Sequence, residues 1–341
     1  MKEVTLTRQE VVDVLEKIRQ VKVFLVGDIC LDLYWRADMK KSRLSRETPH
    51  YPLPIVDETY TPGAGGNVLN NIHALDVENV TCISAIGSDW RGFLLTSWMK
   101  EHGIDTSNLI TRDTGVTPCY CKPLRMGISD VVYEDPRLDF ENDQPLSSQA
   151  ETQILEALEI AAEHADIIAV SDQFLYGVIT PKIRQQLCQL SDKIPVVVDS
   201  RDRITDYSGV IVKPNEVEAA AAIGRDISGL DLSVEDYAQV AVDLAKKNDR
   251  PVIVTLGALG ALWCESECTF APAVKAKPPV DIVGAGDTFL SAFCCAYAAC
   301  KDGAKAVAFA NLASAVTVKK IGITGTATPE EILKKWEEYQ Q

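Results

Sequence analysis

Along most of the chain, continuous β-branched runs alternate with segments of helical period. The runs 21–28 (VKVFLVGD), 79–87 (NVTCISAIG), 165–172 (ADIIAVSD), 194–200 (IPVVVDS), 209–214 (GVIVKP) and 250–257 (RPVIVTLG) show no apolar/polar alternation. That pattern belongs to strands covered on both faces. Between them, apolar residues three and four apart predict helices over 67–75, 90–102, 147–164, 180–191, 215–223 and 233–247. Strand then helix, repeated, implies an α/β fold: a doubly wound, mostly parallel sheet flanked by helices. The opening stretch predicts one more helix, because Thr7 and Glu10 have capping-box spacing and positions 11, 14, 15 and 18 form an apolar face.

Two segments break the rhythm. Residues 34–62 and 117–140 are richer in Pro, Tyr and charge and carry short alternating patterns, so they read as strands outside the main sheet. Two such insertions can combine into a small β lid over a ligand cleft. The expected organisation is one domain over 1–341 with this lid. Cys119 and Cys121, one residue apart on a strand, fall on one face and read as packing.

Apolar residues make up 46% and charged residues 24%, which describes an ordinary globular chain. The formal charge of −15 excludes nucleic acid and anionic membrane as partners, since both need a basic footprint. The ten cysteines include no C-x-x-C pair and several sit in apolar runs, so all are expected as reduced thiols. The N-terminus lacks the apolar core of a signal peptide, and the longest apolar run, 289–300, is too short to span a bilayer, so the expected location is the cytoplasm. The four histidines form no metal-spaced cluster.

In an open α/β sheet the loops after the strands face the ligand crevice. Here those loops carry Asp28 and Asp32, PGAGGN with Gly65, Gly66 and Asn67, NEVE with Asn215 and Glu218, TLGALG with Thr255, Gly257 and Gly260, and finally DIVGAGDTF at 281–289. In the last, Gly284, Ala285 and Gly286 leave bare amides ahead of an apolar helix, an anion site. A carboxylate beside a bound anion repels it unless it takes part in the chemistry, so Asp287 is either a reactive group or a helix cap. Asn215 and Glu218 are one helical turn apart, which suits a shared ligand face and a capping box equally. No G-x-x-x-x-G-K-[ST] phosphate loop is present.

These pieces, in this order, resemble the ribokinase-like (PfkB) family of sugar kinases across nearly the whole chain. Within it, SRLSRETP (42–49), RLDFEN (137–142) and GITGTATPEEI (322–332) are most like the kinases acting on D-glycero-D-manno-heptose 7-phosphate. The resemblance implies ATP-dependent phosphoryl transfer to a sugar or sugar phosphate, with Asp287 as general base and the 284–287 amides as anion hole. It implies a sugar site at Asp28, Asp32, Gly65, Gly66 and Asn67, with Arg43 and Arg137 of the lid on a distal phosphate. ATP is expected at Asn215, Thr255, Gly257 and Gly260, Mg²⁺ at Asn215 and Glu218 through water, and a monovalent cation such as K⁺ near Asp281. The expected assembly is a homodimer through the lid. For the basic lid residues, solvation of a β edge is the competing explanation. The other functional readings are a hexose, ribose or nucleoside kinase of the same fold, and a sugar-binding protein without catalysis.

The chain departs from the family pattern at several places. Gly63 is followed by Ala64 where the family has a second glycine, Ile282 and Val283 replace the usual threonines, and SDQFLYGV (171–178) lacks a lysine that heptose kinases often carry there. Few residues follow Pro329, so the expectation is a kinase without the H-x-G-H-type nucleotidyltransferase domain to which some heptose kinases are fused.

Overall fold

The computed structural model describes residues 1–129 and 131–340; Asp130, inside the second of the two inserted segments, and Gln341 lie outside the described residues. The strands are β1 (Lys2–Glu3), β2 (Lys22–Gly27), β3 (Ile29–Asp38), β4 (Ile55–Ala64), β5 (Asn79–Ile86), β6 (Leu109–Thr111), β7 (Cys119–Met126), β8 (Tyr133–Glu134) and β9 (Leu138–Phe140). They continue with β10 (Ile167–Asp172), β11 (Val196–Ser200), β12 (Ile211–Val212), β13 (Val252–Thr255), β14 (Gly260–Cys264) and β15 (Cys268–Pro272). The helices are α1 (Arg8–Ile18), α2 (Gly65–Ala74), α3 (Trp90–Glu101), α4 (Ser148–His164), α5 (Pro181–Leu190), α6 (Glu216–Ala222), α7 (Val234–Asn248), α8 (Ala285–Cys300), α9 (Gly303–Thr317) and α10 (Pro329–Tyr339).

Ten strands form the main sheet in the order β1-β15-β14-β13-β12-β11-β10-β2-β5-β6. From β13 through β6 every pairing is parallel, as the unbroken β-branched runs require. The edge beyond β13 was not foreseen: β14 and β15 add an antiparallel hairpin, and β1 pairs in parallel with β15. Alternate residues feed two cores. Val23, Leu25, Ile167 and Ala169 pack with α1, α2, α8 and α9 on one face. Phe24, Val26, Ile168 and Val170 pack with α4, α5, α6 and α7 on the other. Helix α1 has the expected Thr7–Glu10 capping box, and Val11, Val14, Leu15 and Ile18 are its buried face.

The second sheet has the order β4-β3-β7-β8, with β9 also on β7. Its strands run from 29 and to 64, longer than the 34–62 segment, so PGA closes a strand and GGN opens helix α2 instead of forming a loop. The corner between them is Ala64, whose φ of 51° and ψ of −129° suit glycine, not alanine.

The cysteine reading needs one correction. Cys264 and Cys268 sit directly opposite each other across the β14–β15 turn and form a disulfide, while the other eight are free. A C-x-x-x-C spacing signals nothing until the hairpin folds it. Cys119 and Cys121 are both buried on one face of β7, as strand alternation requires. Among the described residues no helix is long and apolar enough to cross a membrane.

Candidate active site

The C-terminal ends of β2, β11, β12 and β13, the base of the second sheet and the N-termini of α2 and α8 converge on one crevice. Asp287 lies in the first turn of α8, half-buried. Asn67, in the first turn of α2, donates from Nδ2 to Asp287 Oδ2 at 3.2 Å. Two further contacts hold the two helices in register, Thr288 Oγ1 donating to Asn71 Oδ1 (2.8 Å) and Ser291 Oγ donating to the Val68 carbonyl (3.0 Å), while within α2 Asn71 Nδ2 donates to the Asn67 carbonyl (2.9 Å). Asn67 Oδ1 is buried without a hydrogen-bond partner among the described residues, an acceptor held ready beside the carboxylate.

Burial pushes the Asp287 carboxyl up to about 7, with the negative charges of Asp199 and Asp32 adding to it and the Lys213 ammonium and the Asn67 hydrogen bond opposing. At the α8 N-terminus the Ala285 N–H is spent on the Ile282 carbonyl at 3.1 Å. Gly286 and Asp287 keep theirs free of protein acceptors among the described residues. The anion hole is therefore narrower than 284–287. Gly284 supplies the turn itself: its φ is +76° and an added Cβ would strike Thr324.

Asp32 is buried on β3, its carboxyl raised by burial and held against that by Lys122, whose Nζ lies 3.5 Å away. Lys122 also donates to the Tyr34 hydroxyl at 3.1 Å. Cross-strand register sets Asp32 between Thr61 of β4 and Tyr120 of β7, with Asp139 of β9 opposite Tyr120. Arg137 stacks on the Tyr120 ring, 3.9 Å from its centroid, and is gripped by both oxygens of Asp139 at 2.6 Å.

Several expected site residues do other work. Asp28 is buried, and its carboxylate accepts the backbone N–H groups of Gln173 (2.7 Å), Phe174 (2.8 Å) and Val178 (2.6 Å). It anchors the loop after β10, with both carboxylate oxygens engaged by backbone N–H groups. Gly65 and Gly66 are buried at the β4–α2 corner, where a Cβ would meet the Asp28 carbonyl or the Pro62 ring, so they serve close packing. Gly260 admits the Ala271 carbonyl beside β14 and does not line the nucleotide-side cavity described below. Arg43 is exposed in the β3–β4 connection. The six residue steps along β3 from Asp32 to Asp38 alone span on the order of 20 Å.

Asn215 and Glu218 form a complete capping box: Asn215 Oδ1 accepts the N–H groups of Val217 and Glu218, and Glu218 Oε2 accepts that of Asn215. Glu218 Oε1 accepts no hydrogen bond among the described residues. Burial raises the Glu218 carboxyl, with the Asn215 N–H and Lys213 opposing. Among the described residues no three His, Cys, Asp or Glu side chains cluster as metal ligands. Thr255, half-buried at the end of β13, bridges to Asn215. Beside it a cavity of about 440 Å³ is lined by Gly257, Val280, Ile282, Ala285, Ala315 and Val318 among others, an apolar slot of the size of an adenine nucleoside. Asp281 accepts from Val283 N–H (3.0 Å) and Gly322 N–H (2.9 Å), which lower its pKa.

Sequence reasoning passed over Lys213 and Asp199. Both sit at strand ends, where the rule that polar residues after buried strands face the crevice would have found them. Lys213 Nζ is 3.0 Å from Asp199 Oδ2. Burial disfavours its charge, yet Asp199, with Glu218 and Asp287 behind it, holds its pKa above the ordinary lysine value.

The model of the pfkB family carbohydrate kinases matches residues 22–331. Bifunctional protein HldE of Nitratiruptor sp. is 34% identical over 322 residues, 94% of this chain and 65% of the relative. The protein of the same name from Trichlorobacter lovleyi is 31% identical over 339 residues, 96% and 65%. The chain thus spans somewhat under two thirds of the length of these relatives. Among solved structures, phosphofructokinase-2 from Escherichia coli in complex with potassium superposes with a TM-score of 0.72 at 20% identity, covering 94% of this chain and 100% of that one. Arabidopsis thaliana ribokinase complexed with ribose and ATP gives 0.65 at 18%, covering 93% and 98%. The fold is ribokinase-like.

Proposed function

The chain belongs to the pfkB family of carbohydrate kinases, and on that premise we propose that it phosphorylates a hydroxyl of an already phosphorylated sugar, a heptose 7-phosphate by preference, with Asp287 as the general base. The observation that carries this is a carboxylate with a pKa near 7, oriented by Asn67, directly behind two free amides at a helix N-terminus. A base of that pKa is half ionised at neutral pH and needs no stronger activation in a loose transition state.

In the reaction the sugar is held through its neighbouring hydroxyls by Asp32 and the free Asn67 Oδ1, and the reacting hydroxyl gives its proton to Asp287 as its oxygen bonds to the γ-phosphorus. The bond from that phosphorus to the β,γ-bridging oxygen breaks, and ADP leaves with the electron pair. The Gly286 and Asp287 amides stabilise charge on the transferring group. The apolar slot along Gly257, Val280 and Val318 holds the adenine nucleoside. Glu218 Oε1 fits Mg²⁺ through water, since the other oxygen caps α6 and the described residues form no direct ligand cluster; bound there, the ion would neutralise phosphate charge. Thr324, two residues after the Gly322 N–H that Asp281 accepts, packs its methyl against Gly284 and has a buried Oγ1 without a hydrogen-bond partner among the described residues, which fits a K⁺ site completed by backbone carbonyls.

For the distal phosphate, Arg137 and Lys122 are the basic groups nearest Asp32. Arg137 keeps three N–H donors beyond those spent on Asp139. The exposed edge strand β4, with Ile55, Val56 and Tyr60 outward, suits pairing with a second copy. The test is ATP consumption over a panel of sugars and sugar phosphates, with Asp287→Asn as control. Preference for an unphosphorylated sugar would overturn the heptose-phosphate assignment.

A further inference from the structure

The connection from β10 to α5 is held far more firmly than joining a strand to a helix requires. Its backbone N–H groups at Gln173, Phe174 and Val178 all end on the Asp28 carboxylate, at 2.7, 2.8 and 2.6 Å. Two guanidinium groups take its carbonyls: Arg203 donates to that of Phe174 at 2.7 Å and Arg112 to that of Tyr176 at 3.2 Å. Gly177 lies so close beneath that an added Cβ would meet Asp28 Oδ1. Asp28 and Arg112 are only 1% and 6% exposed. Most short strand-to-helix loops close through turn residues alone, whereas burying charge is costly. So much bracing points to a position that has to be kept.

What the braced loop presents to the second sheet is the Phe174 ring, buried and set edge-on to Tyr120 of β7, with centroids 6.0 Å apart and planes at 61°. Tyr120 stands beside Asp32 in cross-strand register, and its ring carries Arg137. The strands of the second sheet hydrogen-bond to one another and not to the main sheet, so its tilt over the crevice depends on side-chain contacts such as this one.

We propose that Phe174 is a positioning residue: its ring, fixed by the Asp28, Arg112 and Arg203 clamp, is the stop against which Tyr120 rests, and through Tyr120 it sets where Asp32 and Arg137 meet the acceptor. The inference rests on the phosphoryl-transfer reading given above. Acceptor orientation tolerates little error, because a misplacement on the order of 1 Å costs about 10²-fold in rate. A stop must be stiffer than the element it arrests, which accounts for the buried charges.

Phe174→Leu keeps apolar bulk and removes the ring edge; Tyr120→Leu removes the other half of the pair. With D-glycero-D-manno-heptose 7-phosphate as acceptor, Phe174→Leu should raise the acceptor KM about 3- to 10-fold, the worth of an aromatic pair, while the Kd for MgATP stays unchanged. The double variant should be no worse than Tyr120→Leu alone, because both residues act through one contact. An unmoved acceptor KM, losses that multiply in the double variant, or a parallel loss of MgATP affinity overturns the proposal. Amide hydrogen exchange reads the same contact without turnover: exchange across β7 should quicken in Phe174→Leu while the amides bound to Asp28 stay protected, and unchanged β7 exchange overturns the proposal. Should Phe174→Leu not fold, Phe174→Met carries both measurements. Absence of heptose phosphate turnover by the wild type would instead count against the functional reading, and hydrogen exchange would still decide the role of Phe174.

Discussion

Asn67 and Asp287, 220 residues apart in the chain, meet through a 3.2 Å hydrogen bond from Asn67 Nδ2 to Asp287 Oδ2. The bond joins the first turns of α2 and α8, so the group proposed to hold the sugar and the group proposed to take its proton are oriented by one contact. The Asn71–Thr288 pair one turn further along keeps the helices from sliding.

Replacing Asp287 with Asn should leave nucleotide binding intact and lower kcat about 10²–10⁴-fold. In the wild type, kcat/KM should fall as pH drops below about 7, where Asp287 takes up a proton. Steady-state kinetics between pH 5.5 and 9 check both, and unchanged turnover in the variant would return Asp287 to helix capping.

The same shift predicts a stability effect of opposite sense. Folding raises the Asp287 pKa from 3.8 to about 7, so folding favours the protonated form. That contribution is complete below pH 3.8 and lost as pH rises through 7. Asp287→Asn, neutral throughout, should therefore melt above wild type at pH 8, with the difference shrinking towards pH 5; thermal melts across that range would show it.

Glu218→Gln should raise the Mg²⁺ concentration for half-maximal rate several-fold while sugar KM stays nearly constant. An amide oxygen can still accept the Asn215 N–H, so Tm should move little. A Mg²⁺ titration of both proteins separates a metal role from capping alone.

Ala64 carries backbone dihedrals that favour glycine, a strain on the order of 1–3 kcal/mol. Ala64→Gly should gain about 1 kcal/mol after the added unfolded-state entropy is deducted, and denaturant unfolding measures it. A loss of stability would mean that the methyl group packs better than the strain costs.

Arg137→Ala should reduce kcat/KM by about 10- to 150-fold for the phosphorylated sugar and hardly at all for the same sugar without its phosphate, corresponding to a charge-assisted contact of roughly 1.5–3 kcal/mol. Equal losses on both acceptors would leave Arg137 as a brace for Tyr120 and Asp139.

Local pattern was enough for most of the framework. Unbroken apolar runs identified the parallel strands, helical spacing and capping pairs the helices, and the two Pro- and Tyr-rich insertions the second sheet. These are short-range properties: the period of the side chains and the chemistry of a turn. The carboxylate behind two glycines was equally legible, as was its membership of a chemical pattern. What sequence alone left open was the partner of each polar group. Asp28 and Asp32 are alike in composition and four residues apart, yet three backbone N–H groups from the loop after β10 consume Asp28, while Asp32 meets Lys122 across a strand pair. Cys264 and Cys268 became a disulfide only when a hairpin set them opposite each other. Lys213 joined the crevice only when β12 ended facing the N-terminus of α8. In each case the deciding quantity is a distance between residues brought together by tertiary packing, and such distances depend on the whole fold, not on the spacing within any one segment.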